Sequence, residues 1–240
     1  MFQIVQDYWP FLLWGEYPNG PIGGLVLTLG VAVTSLVITF PFAVLISLAR
    51  TSGVRYLTVP TTVYVYVVRG LPLLTFLLWA YFMLPFLLPW RISPFWTLVG
   101  VIVCYQAAYL SEVVRGGIEA LPPGQIEAAR SLGMSWYVIT RKIVLPQALY
   151  NVLPGIVNQF TVITKESALG SIIAVSEITF LAGRVNAFLL TEALSVYSLL
   201  AAVYFVLCFS LSMVVKALEH KIERGRGMSA ERRDAADFAG

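Results

Sequence analysis

Residues 127–146 read EAARSLGMSWYVITRKIVLP, a polar island in a chain that is otherwise apolar. Pro122, Pro123 and Gly124 open it and Pro146 ends it. Proline fits a first helical turn because its missing N–H had no partner there, and Glu127 sets negative charge near the positive end of the helix dipole. Gly133 is able to take the left-handed conformation that closes a short helix, and Ser135 is suited to cap a second one. The island is therefore predicted to form two short helices. A second group of polar side chains is scattered: Arg69 and the pair Lys165–Glu166 interrupt long uncharged runs, and Thr164 and Ser167 flank that pair. Ionisable groups inside such runs are costly in apolar surroundings and are site candidates by default. The guanidinium of Arg69 matches a carboxylate at two points, Glu166 suits an ammonium group, and Thr164 and Ser167 add hydroxyls. A plainer reading stays open, in which Arg69 snorkels to one membrane face and Lys165 with Glu166 forms a pair at the other edge.

The elements that hold these groups follow from composition. Hydrophobic residues make up 58% of the 240 positions and charged ones 12%, with a mean hydropathy of +0.80. A soluble domain carries roughly 25% charged residues, so this apolar surface needs a membrane to cover it. The 13 Pro and 18 Gly lie among long apolar runs, where membrane helices tolerate them. The net charge of +3 is weak evidence for nucleic acid, and the basic residues sit between apolar runs rather than along one face. Cys104 and Cys208 lie inside apolar spans and read as small hydrophobes. No cleavable signal is expected, because residues 1–20 hold Asp7 and Glu16 and lack a basic start.

Five spans are predicted in an all-α membrane protein. The first runs from Gly20 to Ala49 with a kink expected at Pro41. The second continues to Trp90, with Arg69, three residues before Pro72, either at the membrane edge or inside a broken helix. The third covers Pro94 to Val114, the fourth Pro146 to about Thr164, and the fifth about Ala193 to Val215; crossing a bilayer takes roughly 20 residues. Residues 167–191 are expected to form a short helix and loop at one face, residues 1–19 an external segment, and residues 221–240 a charged, disordered cytoplasmic tail. With the N-terminus outside, twelve Lys and Arg fall on inner segments against three on outer ones. Positive charge collects on the cytoplasmic side, so the C-terminus and the polar island are placed inside. Glu112 and Arg115, three apart, are expected to pair at the inner interface; Trp79, Trp90 and Trp96 suit an outer aromatic belt, and His220 a solvated position.

The island resembles the EAA motif of type I ABC importer permeases: Glu127, Ala128, Ala129, Gly133, Ile143, Leu145 and Pro146 occupy every position of that pattern. Flanking stretches are similar to polar amino-acid uptake permeases of the histidine, glutamine, arginine and glutamate type. They are GGLVLTLGVAVTSL at 23–36, VVRGLPLL at 67–74, SEVVRGGIEALPPGQ at 111–125, LPQAL at 145–149 and TKESALGSIIAVSEIT at 164–179. The resemblance covers roughly residues 20–220. It implies a bacterial inner-membrane subunit that dimerises with the same or a similar permease. Two ATPase subunits holding ATP and Mg dock on the EAA loops, and an external binding protein delivers an amino acid.

In that setting Glu127 and Arg130 form the polar side of a docking helix, Ala128 and Ala129 allow close approach, and Gly133 turns the chain back toward the spans. A plainer reading is a helix that only lies on the bilayer surface. The solute roles of Arg69, for an amino-acid carboxylate, and of Glu166, for its ammonium, rest on side-chain chemistry and are not carried over from the family. This chain has Glu166 and Ser167 where the family commonly has Asp and Thr, so the geometry there differs. The sequence holds no GxxxxGK[ST], HExxH, GxSxG or Cys/His cluster, so no enzyme of those kinds is expected and ATP hydrolysis falls to partner subunits. The alternative is a secondary transporter driven by an ion gradient, and a structural membrane anchor comes third.

Overall fold

The computed structural model describes the backbone of residues 2–237 and the side chains of residues 6–222. The chain runs α1 (Phe2–Trp14), α2 (Gly24–Thr51), α3 (Arg55–Gly70), α4 (Leu73–Leu87), α5 (Pro94–Glu119), α6 (Pro123–Ser131) and α7 (Trp136–Ile139). A π-helical segment Thr140–Val144 leads into α8 (Leu145–Glu166), and a 3₁₀ segment Ser167–Ile173 precedes α9 (Ile178–Leu189) and α10 (Ala193–Asp237). Apart from two single-pair bridges, Gly15 with Ile22 and Gly24 with Glu177, the described residues form no strand.

Small side chains set the packing of α2. Thr28, Ala32, Ser35, Thr39, Ala43 and Ser47 recur every three or four residues on one buried stripe. That stripe lets α2 lie closely along α5, whose Leu98, Ile102, Ala108 and Ser111 are likewise buried. Val37 and Leu45, on the other side of α2, are left exposed. The helix continues unbroken through Pro41 from Gly24 to Thr51.

Among the described residues, α2, α5 and the stretch Ala193–Ile222 of α10 are each long and apolar enough to cross a membrane. Helices α3 and α4 meet that test only together, as a span bent by 103°. The bend falls where Leu71 and Pro72 are extended (φ −97°, ψ 141° and φ −66°, ψ 132°), because proline pushes its predecessor out of the helical region. Arg69 is the next-to-last residue of α3, directly before that bend. Helix α8 has 22 residues, enough to cross, but Gln147, Asn151, Asn158 and Gln159 make it too polar to stand among the apolar spans.

Both ends of the chain add helix to these spans. The N-terminal segment contains α1, whose Leu12 packs into a cluster with Leu181 and Val185 of α9 and Val196 of α10. At the other terminus α10 continues as helix to Asp237, past the point where a disordered tail was expected; the side chains of residues 223–240 lie outside those described. The contacts define two ends of the bundle. At one, Arg50 closing α2 meets Glu112 near the end of α5, beside the α2–α3 link and α6. At the other, Gly24 opening α2 donates to the Ser176 carbonyl (2.8 Å), and Glu16 pairs with Arg184 (2.6 Å).

Candidate functional site

Helix α6 begins at Pro123, which occupies its first turn as expected, and ends in a Schellman closure. Gly133, at φ +75°, donates to Arg130 O (2.9 Å), and Met134 donates to Ala129 O (3.1 Å). These are the two bonds by which that motif satisfies the last carbonyls of a helix. Glu127 is the fifth residue of α6 rather than a first-turn one, so its charge lies beyond the reach of the N-terminal dipole. Ser135 sits at the start of α7, but its side chain accepts no capping bond. The second short helix is in fact the first turn of a nearly continuous rod: α7 passes through the π segment into α8. Leu145 N–H there bonds back to Thr140 O. The wider turn falls just before Pro146, whose ring and missing N–H disrupt ordinary α-helical bonding.

The loop has a small core of its own. Ala129, Ile139 and Val144 are buried, and Ile126, Met134 and Ile143 pack on them. Ala129 therefore faces inward, because positions three apart, 126 and 129, share a helix face, whereas Ala128 is open to its surroundings. Glu127, Ala128 and Arg130 are exposed, and Leu132 is 81% exposed. Arg130 also lines a cavity of about 110 Å³ beneath Trp136. Leu145 and Pro146 open α8.

Next to this loop, Glu112 gathers arginines from three helices. Arg50 of α2 bonds directly to its Oε1, Arg115 of α5 donates to Oε2 from Nε (2.9 Å) and Nη2 (2.7 Å), and Arg69 of α3 lies 3.8 Å from Oε1. The expected Glu112–Arg115 pair is present and is one arm of a larger cluster, which Glu119 extends through Arg115 (2.6 Å).

Arg69 thus already has an anionic neighbour. Its guanidinium also lies over the Tyr109 ring, 5.1 Å from the centroid, and its side chain is 42% exposed. Tyr109 Oη is 3.3 Å from Tyr105 Oη, which donates to Leu71 O (3.1 Å) in the α3–α4 break. One residue along α5, Gln106 donates to Glu166 Oε2 and accepts from Gln159 Nε2. Gln106 and Gln159 are buried, so the amide chain fixes the Glu166 carboxylate from within the protein. A continuous polar face of α5, Tyr105–Gln106–Tyr109, links the two candidate solute residues. Thr164 and Ser167 are fully buried and donate to Phe160 O and Thr164 O (both 2.8 Å), hydroxyls spent inside their own turns. Lys165 is exposed.

Gln106, Gln159, Tyr105 and Tyr109 were not singled out in the sequence, because they are uncharged and a search for charge in apolar runs passes over them. Glu177 is a further buried carboxylate, fully enclosed. It caps α9 by accepting from Thr179 N (2.9 Å) and Phe180 N (2.8 Å), and from Tyr204 Oη (3.2 Å). Its sequence signal, an acid just before an apolar helix, lies inside the segment read only as a short helix and loop.

Residues 40–224 match the family described as binding-protein-dependent transport system inner membrane component. The arginine transport system permease protein ArtQ of Bacillus subtilis (strain 168) is 36% identical over 202 residues, covering 83% of this chain and 91% of ArtQ. The octopine transport system permease protein OccM of Rhizobium radiobacter is 32% identical over 221 residues, 88% of each chain. A crystal structure of an amino acid ABC transporter with histidines superposes with a TM-score of 0.75 at 33% identity, covering 82% of this chain and 92% of that one. An inward-facing MetNI methionine ABC transporter shares the fold at 20% identity, with a TM-score of 0.62 over 91% of this chain and 97% of its own. The chain belongs to the family of binding-protein-dependent transport system inner membrane components, as a multi-pass inner-membrane permease subunit of an ABC importer.

Proposed function

We propose that the chain crosses the membrane five times, N-terminus out and C-terminus in, and forms the pathway for a polar amino acid as a dimer with itself or a similar permease. The five crossings are α2, the bent α3–α4 pair, α5, the polar-faced α8 and α10. Arg50, Arg55, Arg115, Arg130, Arg141 and Lys142 all fall at the loop end of the bundle, which supports the inward placement of that end. Residues 20–220 are the transmembrane domain, residues 1–19 an external segment and the charged tail from 221 cytoplasmic. An external binding protein delivers the solute, and the names of ArtQ, OccM and the amino acid transporter structure support its being an amino acid. ATP and Mg belong to separate ATPase subunits that dock on the EAA loop.

The observation that carries this reading is the loop itself, which presents Glu127, Ala128 and Leu132 outward from a buried core of its own. A helix that merely lay on lipid would turn its apolar side outward; in α6 the apolar Ile126 and Ala129 pack into the loop's own core instead. Membranes solubilised gently and pulled down through a C-terminal tag test this directly. An ATP-hydrolysing subunit is expected to co-purify, and Glu127→Lys is expected to reverse a docking charge and lower uptake at least about tenfold, the effect of 1.4 kcal/mol. A Glu127→Lys chain that inserts and transports normally overturns the docking role. A chain that purifies alone and carries solute under an ion gradient overturns the importer reading.

Within the pathway, Glu166 receives the solute ammonium and Arg69, shared with Glu112, receives its carboxylate, while Thr164 and Ser167 hold the turn that carries Glu166. Glu166→Gln removes the charge and keeps the shape. A hydrogen bond to a charged group contributes about 1.5–3 kcal/mol, so the apparent Km for uptake is expected to rise roughly 10- to 100-fold with ATPase docking intact. An unchanged Km places Glu166 outside the solute path.

A further inference from the structure

The molecule holds a cleft that the transport reading leaves unused. Between the α2–α3 turn and the start of the rod leading into α8 lies a cavity of about 530 Å³, within the roughly 300–1,000 Å³ of sites that take small molecules. One wall is Leu45 and Leu48 of α2 with Leu57 of α3, and the other is Trp136, Tyr137 and Arg141. Among the described residues of that lining Arg141 is the only charged one. Its Nη1 donates to Tyr137 Oη (3.0 Å), which ties the guanidinium to the hydroxyl end of that wall. Arg55 and Lys142, both exposed, flank the mouth in sequence.

We propose that this cleft binds one anionic phospholipid of the inner leaflet, with an acyl chain between Leu45, Leu48 and Trp136 and the headgroup phosphate at Arg141. The site rests on the inward placement of the loop end. Leu45 and Leu48 lie six and three residues inside the end of the apolar span Gly24–Thr51, so the cleft reaches hydrocarbon depth, where a soluble partner does not. Leu45, Trp136 and Tyr137 are 62%, 49% and 61% exposed, which leaves the walls open for a chain to enter. Tryptophan and tyrosine favour the level where acyl chains meet headgroups, and a basic cleft between helices on the cytoplasmic side attracts acidic lipid headgroups. A bound chain there would join α2, α3 and the base of the docking loop.

The test uses the permease purified with its ATPase subunits and incubated with mixed phosphatidylglycerol–phosphatidylcholine micelles. Native mass spectrometry counts the lipids retained. One phosphatidylglycerol per permease is expected to persist. Arg141→Gln is expected to weaken it about fivefold, the effect of one basic residue at an anionic surface, and Leu45→Trp, which fills the cleft, to displace it altogether. Inorganic phosphate in excess is expected to leave it bound; displacement by phosphate would mean an anion site without the chain and would overturn the proposal. So would equal retention in both variants and wild type, or retention by the isolated permease that disappears once ATPase subunits are bound. Orientation is read separately by labelling a cysteine placed at Ser131 with an impermeant reagent, so a misplaced loop end and an empty cleft give different results.

Discussion

Exchange of Glu112 for glutamine is expected to lower the stability of the folded permease by about 3 kcal/mol, the lower end of what removal of one partner from a buried ion pair costs. Arg50 is the reason. Its side chain is 10% exposed and Glu112 is 20% exposed, so the loss of the carboxylate leaves a guanidinium poorly solvated at the junction of α2, α3 and α5. Arg69 and Arg115 are more open and add less, because exposed pairs are worth little. The reverse change is milder: Arg50→Gln leaves Glu112 with two bonds from Arg115 and is expected to cost on the order of 1 kcal/mol. The double variant should then be more stable than Glu112→Gln alone, since it removes the orphaned charge. Heat denaturation in mild detergent, followed by loss of the monodisperse peak, should show Glu112→Gln lowered by roughly 6–12 °C and the double variant partly restored. Equal midpoints for the two single variants would reduce Glu112 to an ordinary surface partner of Arg115.

The same cluster shows how far the sequence reached. Glu112 and Arg115 were legible because a spacing of three is a helix contact that one element decides. Arg50 and Arg69 joined them only through the packing of α2 and α3 on α5, and the stripe of small residues that permits this has no charge to advertise it. The loop was legible for a similar reason: Pro123, Gly133 and the island's polarity are local signals, and the backbone follows them. What local signals missed was direction. Ala128 and Ala129 look alike in the sequence, but a rotation of about 100° per residue sends one outward and the other under Ile139. Likewise Thr164 and Ser167 advertise hydroxyls that turn out to serve their own backbone. Helix α8 reads as a span from its length, but the polar face by which Gln159 reaches Gln106 shows only once α8 packs on α5.

Gly133 tests the loop most sharply, because its two obvious substitutions should behave oppositely. A Cβ built on it meets no atom within 4 Å, so space does not decide the outcome. Conformation does: at φ +75° an ordinary residue pays roughly 1–2 kcal/mol, asparagine visits the region readily, and a β-branched residue is a true outlier there. Gly133→Asn is therefore expected to keep uptake within about twofold of wild type, a cost of a few tenths of a kcal/mol. Gly133→Val should open the bonds to Arg130 O and Ala129 O, release Met134 from its contact over Ala129 and misdirect α6. Uptake is then expected to fall at least about tenfold, the effect of 1.4 kcal/mol, with ATPase subunits recovered poorly in a pull-down. The heat-denaturation midpoint should move little, because the closure lies on an exposed loop while the α2–α5 core is untouched. Equal uptake by the valine and asparagine variants would show that the left-handed turn does not set the docking geometry. A fall in both would point instead to contact of the ATPase with the bare glycine surface.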